Sequence, residues 1–159
     1  PLLSFPEAIQ GLFGSKYAGQ AFRTTFLLTI MFTLIVCYKQ GLARVLVARN
    51  YMWVGTASNL FWGLILLVCA YNLTYLGSVG LAWAFLIAYS INTIVFMTIY
   101  VKLGLVPPGT LLSLDAFAIW SVVLLVAVAS FVAMPLEFRV MLFFIGLLLT
   151  TFFFFKMAL

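Results

Sequence analysis

From Ser78 to Tyr100 the chain carries no charged residue. A helix rising about 1.5 Å per residue over that stretch is long enough to cross a hydrocarbon layer of roughly 30 Å. The stretch opens with small residues, Gly77, Ser78, Gly80, Ala82 and Ala84. Helices in lipid associate through close contact, so this face reads as a packing surface within a bundle. The remainder of the chain has the same character, with 67% hydrophobic residues, 7% charged and no histidine. So few charges cannot cover the surface of a water-soluble domain, which makes lipid the expected solvent. The net charge of +5 does not indicate a nucleic-acid partner. Its basic residues are scattered at the ends of apolar runs, where membrane topology accounts for them.

Apolar windows bounded by charges or turn formers predict an all-α, polytopic transmembrane helix bundle of about five spans. They fall near residues 18–38, 51–71, 78–100, 115–134 and 139–157, after a short apolar stretch that ends at Gly14 and reads as the tail of a preceding helix. The connectors differ: "KQGLARVLVARN" is basic, "YNLTYLG" is uncharged, "KLGLVPPGTLLSLD" contains Pro107-Pro108-Gly109, and "MPLEFR" is a short corner. Alternation puts Lys39, Arg44, Arg49, Lys102 and Lys156 on one side and Lys16, Arg23 and Arg139 on the other. Positive residues favour the inside, so the first set and the C-terminus are expected to be cytoplasmic, in a multi-pass protein of the cell membrane. Cys37 and Cys69 lie in apolar runs without CxxC spacing, which signals buried thiols rather than a metal site or a disulfide framework. With Pro1 first and no signal-peptide pattern, the chain reads as part of a longer protein.

The order of "PEAIQGLFGSKYA" at Pro6 to Ala18, the basic connector "GLARVLVARN", an uncharged helix, and "LGSVGLAWA" at Leu76 to Ala84 resembles the C-terminal half of polysaccharide flippases. These belong to the multidrug/oligosaccharidyl-lipid/polysaccharide exporter superfamily. The resemblance covers most of residues 1–102. It implies a two-lobe transporter of twelve or fourteen helices with an alternating-access cavity, of which this chain would be the C-terminal lobe. It implies movement of a polyprenyl-diphosphate-linked oligosaccharide across the cytoplasmic membrane for O-antigen, capsule or exopolysaccharide synthesis. The implied partners are membrane lipid, the lipid-linked oligosaccharide, an N-terminal lobe outside this sequence, and the polysaccharide polymerase machinery. The residues signal no cofactor, and coupling to either a proton or a sodium gradient stays open. No phosphate-binding loop is present.

Polar groups within the spans are the candidates for a substrate path, because each is costly in lipid unless paired or wetted. Lys16, Gln20 and Arg23 fall at i, i+4 and i+7, one helical stripe. Such a stripe either meets a diphosphate or anionic sugar through the planar fork of Arg23, or snorkels to the outer interface. Asn59 shares a face with Gly55 and Gly63, and Asn92 with Ala88, Tyr89 and Phe96. Each amide either lines a cavity for sugar hydroxyls or bonds a neighbouring helix beside small packing residues, the commoner arrangement in membranes. Gly55, Gly63, Gly77, Gly80 and Ala84 are the expected packing positions. Two other functions compete with the flippase. An exporter of amphipathic cations would need an acidic residue in its interior, whereas Glu7, Asp115 and Glu137 all lie near span ends. A non-transporting membrane subunit remains open, while an enzyme is disfavoured by the absence of histidine and of any nucleophile constellation.

Overall fold

The computed structural model describes residues 6–14, 19–108, 117, 120, 121, 124, 125 and 135–158. Its regular elements are the helices α1 (Pro6–Phe13), α2 (Gln20–Ala48), α3 (Met52–Leu73), α4 (Gly77–Lys102) and α5 (Leu136–Ala158), with a 3-10 turn at Thr74–Leu76 between α3 and α4. The chain divides into two compact units. One is Gln20–Ser113, which contains α2, α3 and α4. The other is Pro1–Gly19 with Leu114–Leu159, which contains α1 and α5.

The expected five-span bundle, set within a twelve- or fourteen-helix transporter, is overturned. The chain is helical, but among the described residues two segments are long and apolar enough to cross a membrane, Gln20–Ala48 and Met52–Lys102. The expectation took charges and turn formers between apolar windows as borders of separate crossings. Lys39 is no such border, because α2 runs through it and on to Ala48. Residues 74–76 are a tight turn inside one apolar segment, which folds back on itself as α3 and α4. Of the window 115–134, residues 117, 120, 121, 124 and 125 are described and helical, and the others lie outside the described residues. The window 139–157 lies within α5.

The length of α2, about 43 Å at 1.5 Å per residue, comes from apolar residues continuing past the lysine. Leu42 and Leu46, four apart and so on one helix face, join a cluster with Phe96, Met97, Tyr100 and Val106, while Arg44 stays exposed. The helix then closes at Asn50, whose φ of 61° is left-handed. Tyr51 N–H donates to the Leu46 carbonyl (2.8 Å) and Asn50 N–H to that of Val47 (3.2 Å), the paired bonds that satisfy a helix's last carbonyls.

Two glycines set the return from α3 to α4. Gly77 has φ 58° and ψ −132°, which a side chain opposes. Gly80 sits against the end of α3 so closely that a Cβ would lie 2.0 Å from the Leu73 carbonyl oxygen. Gly63, on α3, has nothing within 4 Å of an added Cβ, and Gly55 meets only the Leu46 side chain at 3.3 Å. Ala84 is fully buried on α4.

Candidate functional site

Cross-helix pairs define how the three helices of the Gln20–Ser113 unit lie together. Thr25 Oγ1 donates to Ser78 Oγ (3.4 Å), the Phe32 and Phe85 rings stack with centroids 5.2 Å apart, and Lys39 Nζ donates to Asn92 Oδ1. The separation is 53 residues each time, so α2 and α4 run parallel in one register. Positions 25, 32 and 39 are spaced by seven, as are 78, 85 and 92, the repeat of two helices packed along a shallow left-handed seam. Contacts from α3 run the other way: Ser58 meets Asn92 and Trp62 meets Tyr89 at 5.1 Å. Helix α3 is therefore antiparallel to both.

This arrangement stacks the interior in layers. Phe32, Trp62, Phe85 and Tyr89 form an aromatic layer contributed by all three helices. Leu46, Phe96, Met97 and Tyr100 form an aliphatic and aromatic layer nearer the C-terminal ends of α2 and α4. Between them lies a polar layer of Lys39, Ser58 and Asn92, one residue from each helix. Asn92 is 1% exposed and Ser58 3%. The Asn92 amide donates to the Ser58 carbonyl (2.8 Å) and to Ser58 Oγ (3.1 Å). Its oxygen accepts from Lys39 and lies 3.2 Å from Ser58 Oγ.

Lys39 is half-buried, and among the described residues its ammonium has Asn92 Oδ1 as its hydrogen-bond acceptor. An ammonium carries three donors. Residues 20–113 contain no aspartate or glutamate, so the unit supplies no carboxylate to balance this charge. A cation held between apolar layers without a counter-ion is costly. The site is thus chemically suited to accept an anionic group on the remaining ammonium donors. Lysine, asparagine and serine are poor metal ligands as a set.

Among the described residues, Asn92 is the expected path residue that lies in this layer, and Gln20, Arg23 and Asn59 lie outside it. Arg23 and Gln20 occupy the first turn of α2, where the register sets Arg23 level with Leu76. Arg23 is sixteen residues along α2 from Lys39, about 24 Å at the helical rise. Arg23 is half-buried and Gln20 exposed. Lys16 lies outside the described residues. Asn59 is exposed, and the buried polar residue of α3 is its neighbour Ser58. Sequence reasoning missed Lys39 because a lysine ending an apolar run reads as a membrane border. The signal that would have found it is its seven-residue spacing from Phe32 and Thr25, matched by Asn92, Phe85 and Ser78. Trp62 lies in the aromatic layer, and its Nε1 has no hydrogen-bond partner among the described residues.

No family model matches this chain, nor does any curated protein or solved structure.

Proposed function

We propose that this chain is a membrane-embedded helical component that moves an anionic amphiphile, with Lys39 contacting the anionic group. The observation that carries this reading is the Lys39–Asn92–Ser58 layer inside a unit that has no acidic residue. The surface of α3 supports a lipid setting. Leu60, Leu64, Leu67 and Val68 are exposed, flanked by Trp53 at 84% exposure on one side and Tyr71 at 85% on the other. Trp53 and Tyr71 are eighteen residues apart, about 27 Å along a helix. That separation matches aromatic anchors at the two edges of a hydrocarbon layer. Ser58 lies five residues in from Trp53, about 8 Å below that edge.

The substrate class we assign is the lipid-linked oligosaccharide implied by the resemblance in residues 1–102, whose diphosphate is the anion. Movement of amphipathic cations is the poorer reading, since a lone interior lysine repels them. The test is glycan export per molecule of membrane-inserted protein. Lys39→Met should lower export about tenfold or more, the scale of a lost hydrogen bond to a charged group. Lys39→Arg should retain part of it. Asn92→Asp places a carboxylate on Lys39 and should keep the helices together while abolishing export. Normal export by Lys39→Met after normalisation would leave Lys39 as a helix-pinning residue and refute the proposal.

A further inference from the structure

Five basic residues and no acidic one lie in residues 20–113, and they are unevenly placed. Arg23 is near the start of α2, whereas Arg44, Arg49 and Lys102 gather where α2 and α4 end. The 53-residue register sets Arg49 level with Lys102. Both helices close here by the same backbone device. Leu105 N–H donates to the Tyr100 carbonyl (2.9 Å) and Gly104 N–H to that of Val101 (3.0 Å), as Tyr51 and Asn50 do for α2. With those carbonyls satisfied by the chain itself, the basic side chains are not consumed as helix caps. Arg44, Arg49 and Lys102 are exposed, and none of their side chains has an acceptor among the described residues.

The surroundings indicate what kind of anion fits. Val47, Met52 and Trp53 are exposed among these cations, at 58%, 62% and 84%. A soluble anion or an acidic protein would gain little from them. A phospholipid satisfies both halves of the surface, its phosphate meeting the basic groups and its acyl chains the apolar ones. We propose that the end of the three-helix unit formed by Arg44, Arg49 and Lys102 binds anionic phospholipid headgroups. This surface is separate from the Lys39 layer, and it rests on the membrane placement given above but not on the identity of the transported substrate.

The test reconstitutes the full chain in phosphatidylcholine vesicles containing a minor fraction of phosphatidylglycerol. The lipid retained per protein is then measured by mass spectrometry after solubilisation. The native chain should enrich phosphatidylglycerol about tenfold or more over its bulk fraction, since each basic residue near a headgroup contributes about fivefold. Raised salt should weaken the preference. Combining Arg44→Gln, Arg49→Gln and Lys102→Gln should bring enrichment close to unity at unchanged helicity. The charge-preserving set Arg44→Lys, Arg49→Lys and Lys102→Arg should retain most of it. No enrichment by the native chain, or full enrichment by the glutamine variant, would overturn the proposal. Complete displacement of phosphatidylglycerol by millimolar glycerol phosphate would show a site for free phosphate and also overturn it. Release of the native chain from vesicles by alkaline carbonate would instead refute the membrane placement itself.

Discussion

Gly80→Ala should destabilise the three-helix unit by about 3 kcal/mol, at the upper end of the ordinary cost of overpacking. The reason is geometric. The new Cβ would lie 2.0 Å from the Leu73 carbonyl oxygen and 3.0 Å from its carbon, so it meets backbone rather than the yielding end of a side chain. Gly77, three residues earlier, already holds a conformation that fixes the turn, so the backbone has little freedom to withdraw. Gly63→Ala provides the contrast within the same unit. Nothing lies within 4 Å of its Cβ, and alanine in a helix interior is favoured over glycine by about 0.5–1 kcal/mol. Unfolding of the two variants in mixed detergent should therefore show opposite signs. Equal stability of Gly80→Ala and the native chain would mean that α4 leaves the turn by another path.

Asn92→Leu is expected to be the next most damaging change, at about 2 kcal/mol. It removes the bonds that join α4 to the Ser58 carbonyl and hydroxyl, and it leaves the Lys39 ammonium without its acceptor. The two losses are separable. If the stranded cation is the larger part, Lys39→Met added to Asn92→Leu should restore more than half of the lost stability, because an all-apolar layer no longer buries an unpaired group. Strict additivity of the two substitutions would show that Lys39 and Asn92 do not interact.

These sites also mark how far the sequence could be read. The ends of α3 and α4 are legible because composition changes there: a cluster of Asn72, Thr74 and Gly77 between them, and Lys102 followed by Gly104 after α4. The end of α2 is not. Charge along a helix is read as contact with water, and Lys39 breaks that inference by finding Asn92 instead. The subdivision into about five spans fails on length and composition, since among the described residues two segments, Gln20–Ala48 and Met52–Lys102, are long and apolar enough to cross a membrane. The polarity of Asn92 within an uncharged stretch is plain, but its partners depend on register. A seven-residue repeat fits a neighbouring helix equally well one repeat higher or lower, and the selection rests on contacts such as Phe32 with Phe85 and Leu46 with the Phe96 and Tyr100 cluster. Ser58 had no mark to set it above Asn59 beside it, because choosing between adjacent residues requires the rotation of α3.

The parallel register of α2 and α4 alone brings Lys39 onto Asn92. Disulfide trapping tests it directly, in a chain carrying Cys37→Ala and Cys69→Ala. Thr25→Cys paired with Ser78→Cys should cross-link rapidly under mild oxidation, because the native hydroxyl oxygens, whose places the two sulfurs would take, are 3.4 Å apart. Thr25→Cys paired with Tyr100→Cys, at the far end of α4, should remain reduced. Cross-linking of the second pair and not the first would make the helices antiparallel, which would separate Lys39 from Asn92 and contradict the account.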